Sequence, residues 1–131
     1  MNISEIEANL PNGLHDMLVE RLSIDFIARV ATLDVSVWVG DLTSSLHAER
    51  EARRRGKLAL HGLQFCILEP PDPRYPFAKP DALWLVDLMD ADPNVVGSIP
   101  LPPTAFSVRF FVNQWNSFIH VSALDASLAW E

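Results

Sequence analysis

A single cysteine, Cys66, rules out an internal disulfide, and its neighbours Phe65, Ile67 and Leu68 place it in packing rather than redox chemistry. No base or helix start adjoins it to activate the thiol. Glycine is scarce, at five residues, and no G-x-S-x-G elbow, phosphate-cradling loop or dinucleotide fingerprint occurs, which argues against the common nucleotide enzymes. No uninterrupted apolar run reaches the ~18 residues a membrane helix needs. The opening MNISEIEANLPNG has neither a basic nor an apolar signal region, so the expectation is a soluble, cytoplasmic protein that does not enter a membrane. Basic residues are also few. Ten of them against 17 acidic residues leave a net charge of −7, whose field repels nucleic acid and anionic lipid. His15, His47, His61 and His120 form no H-x-H, H-E-x-x-H or C-x-x-C pattern, so spacing supplies no metal site, and no cofactor is expected; convergence of three of them in space stays open.

What the chain does have is alternation. From Leu14 to Asp41, Leu22, Ile24 and Phe26 alternate with Arg21, Ser23 and Asp25, and Leu33, Val35, Val37 and Val39 alternate with Asp34, Ser36, Trp38 and Gly40. A period of two sends each apolar set to one face of a sheet. The turn between the two strands, near Ile27-Ala28-Arg29, lacks the Asn-Gly or Asp-Gly of a two-residue hairpin. Residues 2–9 read as a short helix with Ser4 near its cap, ended by Pro11-Asn12-Gly13.

Past Asp41, HAEREARRRGK has few strand formers; Glu49 and Glu51 precede Arg53, Arg54 and Arg55, and Gly56 follows as a C-terminal cap. This predicts a helix over about 45–55, or an exposed loop. Lys57–Glu69 predicts a third strand with a bulge at Gly62, central and covered on both faces over Gln64–Leu68. LWLVDLM within 81–89 predicts a short strand, Phe106–Val112 another, and FIHVSALDASLAWE returns to strand after a turn at Trp115-Asn116-Ser117. With one convincing helix between strands, where βαβ repeats would need one at nearly every crossover, an antiparallel arrangement is expected over a parallel sheet. The expectation is a single mainly β domain spanning 1–131, an antiparallel β-sandwich or half-open barrel of about six strands with one short helix near 45–55. At this length about two-thirds of the unfolded chain's surface should be buried.

Three groups of residues could carry function. His15 and Asp16 could serve as an oriented acid–base pair, or as a turn cap and a structural hydrogen bond, because neighbours rarely face each other on a strand. Asp87, Asp90 and Asp92 form a weak cation-like loop that lacks the glycine and glutamate of a calcium site. Prolines 70, 71, 73, 76 and 80 stiffen the segment Glu69–Pro80, so holding Asp72, Arg74 and Tyr75 in one geometry costs little entropy. Arg74 could offer a bidentate fork and Tyr75 a rigid face to a partner; alternatively Arg74 pairs with Asp72 and Tyr75 lids the core. Trp38 lies opposite the apolar side of its strand, where it is either covered or offers an aromatic contact surface.

The segments GLHD at 13–16, SIDF at 23–26, VWVGDL at 37–42 and EPPDPRYP at 69–76 resemble a set of small uncharacterised bacterial proteins. The Leu-His-Asp start followed by these strands is also distantly similar to immunity proteins of bacterial toxin systems. The resemblance implies a bacterial cytoplasmic protein that acts as a binder, and the leading expectation is a non-enzymatic module with a protein partner. An acidic surface, a stiff Arg-Tyr loop and the lack of a catalytic motif point the same way. The alternatives are a small enzyme or ligand carrier with a polar pocket in a barrel, with His15, Asp16 or His120 at its mouth, and a homodimer formed through Trp38 or Trp84.

Overall fold

The computed structural model describes residues 1–75 and 80–131, so Pro76, the end of the EPPDPRYP segment, lies outside the described residues. A short helix α1 (Ile3–Ala8) opens the chain. Its cap is Asn2 rather than Ser4: Asn2 Oδ1 accepts from Glu5 N–H at 2.9 Å while Glu5 returns the bond to Asn2 N–H at 2.7 Å, a reciprocal capping box. Ile3 and Ile6 bury one face of this helix in the core.

The alternating region forms β1 (Met17–Asp25) and β2 (Val30–Trp38), an antiparallel pair. A bulge between Val19 and Arg21 resets the pleat, so that Met17 and Val19 before it and Leu22 and Ile24 after it all turn to the core. Phe26 does not continue the series; it lies in the turn, 84% exposed. That turn needs no Asn-Gly. Asp25 Oδ1 accepts from Ile27 and Ala28 N–H, and Arg29 takes the left-handed conformation at φ +56° while its guanidinium donates twice to Leu63 O, at 3.0 and 2.7 Å.

The helix expected over 45–55 is a single turn, α2 (His47–Arg50), because Arg53–Arg55 belong to the next strand, β3 (Arg53–His61). Long basic side chains sit on a sheet surface when their heads find partners. Arg53 donates to Ser36 O at 3.1 Å, Arg55 to Glu20 at 2.8 Å and Lys57 to Asp34 at 2.7 Å, and the Arg54 guanidinium stacks 4.7 Å above the Trp130 ring. Gly56 is therefore a strand residue, not a helix cap.

After β3 the chain turns through Gly62, at φ +62°, into β4 (Phe65–Leu68). There follow β5 (Leu83–Asp90), a one-turn helix α3 (Pro93–Val96) capped by Asp92, β6 (Phe106–Val112), a 3-10 turn over Asn113–Trp115, β7 (Ser117–Ala123) and β8 (Asp125–Trp130). The fold is mainly β: eight antiparallel strands form one sheet in the order β4-β7-β6-β5-β1-β2-β3-β8. It is not a two-sheet sandwich of about six strands. The count rises because two runs that read as single strands are each broken, at Gly62–Gln64 and at Leu124. β4 is an end strand with Leu68 exposed, not a central one, since Pro70 and Pro71 stop it after four residues.

The two breaks face each other. Gly56 to His61 pair with Trp130 to Asp125, Leu124 N–H donates to His61 O, and Phe65 to Leu68 pair with Ser122 to Ile119. The ladder thus continues around the corner and rolls the sheet about a core of Leu33, Val35, Leu58, Leu60, Leu85, Phe110 and their neighbours. The space enclosed among Leu22, Leu33, Leu60, Phe110, Ile119 and Val121 is about 10 Å³, at the limit for one water molecule. Among the described residues no helix is long and apolar enough to cross a membrane.

Candidate functional site

Most of the residues singled out in the sequence gather at one end of the rolled sheet, where β1, β3, β5 and β7 begin and β2 and β6 end. Asp16 precedes β1 at φ +56°, a left-handed conformation that a short polar residue tolerates. The resulting bend brings neighbours in sequence face to face, as a regular strand would not. His15 Nε2 lies 3.1 Å from Asp16 Oδ2, and His15 Nδ1 lies 3.6 Å from Asp87 Oδ1. The other Asp16 oxygen accepts the Trp84 indole N–H at 2.7 Å.

Cross-strand pairing explains how Trp84 reaches Asp16. Leu18 is paired with Trp84 on one side and with Ser36 on the other, and Trp38 follows two residues after Ser36 on the same outward face. Trp38 is pinned as well, its indole N–H donating to Arg50 O at 2.8 Å. Between the two indoles lies an open cleft of about 370 Å³, lined by Asp16, Leu18, Trp38, Glu51, Arg53 and Trp84. Each ring N–H is spent on a fixed acceptor. The ring faces therefore keep their orientation at small conformational cost. The sequence identifies Asp16, Trp38 and, as a candidate dimer contact, Trp84 here, whereas Leu18, Glu51 and Arg53 join only through the fold.

Glu7 stands near this end, its carboxyl pushed up by burial and then by the Asp87 charge, with His15 acting against both. The acids and His15 do not form a metal centre: among the described residues no group of three or more His, Cys, Asp or Glu is placed to hold an ion. The four histidines do not converge. His61 bonds Ser127 Oγ at 3.0 Å, His47 lies in α2, and His120 belongs to a separate buried pair. Asp92 is spent capping α3 and sits 3.6 Å from Arg109, while Asp87 faces His15.

The proline-rich loop is fastened to the same end of the sheet. Asp72 N–H donates to Trp115 O at 2.8 Å, and Asn116 Nδ2 donates to Asp72 Oδ2 at 3.3 Å. Arg74 presents a bidentate fork, but to Asp72: Nε to Oδ1 at 3.2 Å and Nη2 to Oδ2 at 2.8 Å. The Arg74 side chain and backbone together hold the Asp72 carboxyl well below its ordinary pKa. Tyr75 is 52% exposed and does not lid the core.

One stride upstream, Glu69 Oε1 accepts Phe118 N–H at 2.8 Å and Oε2 lies 2.9 Å from His120 Nε2. Burial works to raise the Glu69 pKa, yet the bonds from His120 and Phe118 outweigh it and leave the carboxyl below its usual value. His120 is 1% exposed and projects from the face of β7 opposite Ile119 and Val121, so it is not at the mouth of an interior pocket. The lone thiol is remote from all of this. Cys66 lies in a second cavity of about 220 Å³ with Ile24, Phe26, Arg29 and Leu63, at the opposite end of the sheet, and burial pushes its pKa up.

The arrangement sets two indoles, the carboxylates of Asp16 and Glu51 and the Arg53 guanidinium around one cleft. Among the described residues His15 meets only the two carboxylates, and it stays half exposed. No protein-family model, no curated protein and no solved structure matches this chain.

Proposed function

We propose that the chain is a non-enzymatic binding module of a bacterial cytoplasmic system, immunity-like in role, and that it engages a protein partner through the end of the sheet carrying the Trp38–Trp84 cleft. The observation that carries this reading is the cleft itself: two indoles fixed by their ring N–H groups, 2.8 and 2.7 Å from Arg50 O and Asp16 Oδ1, with their surroundings left open. Large, rigid aromatic surface in a pre-formed recess is what interface hot spots are made of. The net charge of −7 favours a basic partner and would speed its capture.

The ladder that continues from β3–β4 to β7–β8 supports the half-open barrel reading of the sheet, a frame that keeps the two indoles in register. Support for an interior-pocket enzyme is thinner, since among the described residues the space enclosed between Leu33, Leu60, Phe110 and Val121 is about 10 Å³. A homodimer through Trp38 or Trp84 would use the same face.

The test is a native pull-down of tagged full-length protein, with Trp84→Leu and Arg74→Ala in parallel. A stoichiometric protein partner lost with Trp84→Leu and kept with Arg74→Ala supports docking at the cleft. Loss with Arg74→Ala alone moves the site to the proline-rich loop, and no partner with any of the three contradicts the module.

A further inference from the structure

The cleft has a chemistry of its own, and the inference drawn from it rests on the reading of this end of the sheet as a binding site. Indole faces attract cations through the ring quadrupole, and Trp is the strongest of the aromatic side chains in this respect. Here two indoles flank the recess, and two carboxylates, Asp16 and Glu51, stand on its wall against one guanidinium, Arg53. That guanidinium is already directed to Ser36 O, 3.1 Å away. The local excess is negative, in the same sense as the whole molecule. A cation is favoured and an anion opposed.

Hydrogen-bonding capacity narrows the class. A primary ammonium brings three donors that need acceptors once desolvated. Both Asp16 oxygens are already engaged, Oδ1 by the Trp84 N–H at 2.7 Å and Oδ2 beside His15 at 3.1 Å. Glu51 is exposed at the rim. The recess therefore supplies π-faces and negative field but little acceptor capacity inside. We infer that the Trp38–Trp84 cleft binds a quaternary ammonium cation, either free in solution or as the trimethylated head of a lysine side chain. Such a cation carries its charge on a methyl-covered surface and asks for field and aromatic contact without donating hydrogen bonds.

The experiment titrates the full-length protein with tetramethylammonium chloride, followed by indole fluorescence, with sodium acetate at matched ionic strength as the anion arm. A trimethyl-lysine peptide and its unmethylated counterpart form a second pair of arms. A saturable response to tetramethylammonium and none to acetate supports the inference. Trp84→Leu should weaken binding by about tenfold, the scale of one well-placed cation–π contact. Because an indole replacement can disturb folding, two exposed positions carry the discriminating test. Glu51→Gln should weaken binding about two- to fivefold and Arg53→Ala strengthen it by a similar factor, since each changes one charge beside the cation by a surface-scale interaction.

A trimethyl-lysine peptide binding at least about tenfold more tightly than tetramethylammonium identifies the side chain of a protein as the source; equal affinities identify the free cation. Absence of a saturable response to tetramethylammonium, a preference for acetate, or the same direction of change in Glu51→Gln and Arg53→Ala overturns the inference. Loss of a protein partner with Trp84→Leu in the pull-down, combined with no tetramethylammonium binding, removes the ammonium inference alone. Tetramethylammonium binding without any protein partner removes the protein-docking reading alone.

Discussion

Gly40→Ala is the substitution whose consequence follows most directly from the geometry. A Cβ at Gly40 would stand 1.7 Å from Arg50 O, 2.5 Å from Arg50 C and 2.6 Å from Trp38 Nε1. Real Cβ atoms essentially never come within 3.0 Å, so the Arg50 backbone must retreat by about 1.3 Å, the difference between 3.0 and 1.7 Å. Three hydrogen bonds join the two chain segments at this point: Val39 N–H to Ala52 O at 2.9 Å, Asp41 N–H to Glu49 O at 2.9 Å, and Trp38 Nε1–H to Arg50 O at 2.8 Å. At ~0.5–1.5 kcal/mol each, their loss costs about 1.5–4.5 kcal/mol. A domain of this size has a total stability on the order of 7–20 kcal/mol, so the variant should fold. With an m-value of about 2 kcal/mol/M in urea, a loss of ~3 kcal/mol lowers the unfolding midpoint by about 1.5 M. Freed from Arg50, the Trp38 indole should also show altered emission in the folded state. An unchanged midpoint together with unchanged emission would refute the contention that Gly40 is required for the close approach that fixes Trp38.

Four further expectations follow from other parts of the fold. Phe110, 1% exposed in the centre of the sheet's interior, should cost about 3–5 kcal/mol when replaced by alanine, read from urea unfolding, and a loss under ~1 kcal/mol would mean the core is not packed around it. Arg29→Ala removes both guanidinium bonds to Leu63 O and keeps the left-handed φ, whereas Arg29→Gly removes the bonds and relieves the backbone; the alanine variant should be the less stable, by about 0.5–1 kcal/mol. The folded-state pKa values of Asp72 and Glu69 are lowered, so both stabilise the fold above the ordinary carboxylate pKa and lose that contribution as pH falls through their folded values. Melting temperature should therefore decline below about pH 4, and Asp72→Asn should flatten the decline; an acid limb as steep as wild type would exclude Asp72 as a contributor. Glu7 has the opposite sign: its folded pKa is raised, so ionising it as pH rises destabilises the fold, and Glu7→Gln should raise the melting temperature at pH 7.

Much of the sheet can be read from residues and the rest depends on distant pairing. The buried series Ala31, Leu33, Val35 and Val37 is visible as alternation because one face of β2 meets the core along its whole length. Arg53–Arg55 mislead for a definable reason. Their charge lowers local strand propensity, and only the partners Ser36, Glu20 and Trp130, supplied by other strands, make a strand acceptable there. Phe65–Leu68 is apolar throughout, which locally cannot be distinguished from a central strand; its place at the end of the sheet is set by which strands pair with β7. The bulge beyond Val19 hides a register shift that leaves both apolar sets on one side.

The site is legible to a similar degree. His15, Asp16 and Trp38 stand out as residue types on or beside the first strands, but their relation depends on the left-handed Asp16 and on Trp84, 68 positions away in the chain. Asp72 and Arg74 announce a pairing that the loop then satisfies internally. What sequence could not supply was the neighbourhood: Leu18 reaches the cleft from β1, and Glu51 and Arg53 reach it from the junction of α2 and β3.

The most direct test of a site between Trp38 and Trp84 follows the four indole N–H resonances of the ¹⁵N-labelled protein, one each from Trp38, Trp84, Trp115 and Trp130, during addition of tetramethylammonium. The account predicts saturable shifts of the Trp38 and Trp84 signals with a common affinity, while Trp115, whose Nε1 is buried, stays still. Shifts confined to Trp115 or Trp130, or no saturable shift in any of the four, would contradict it.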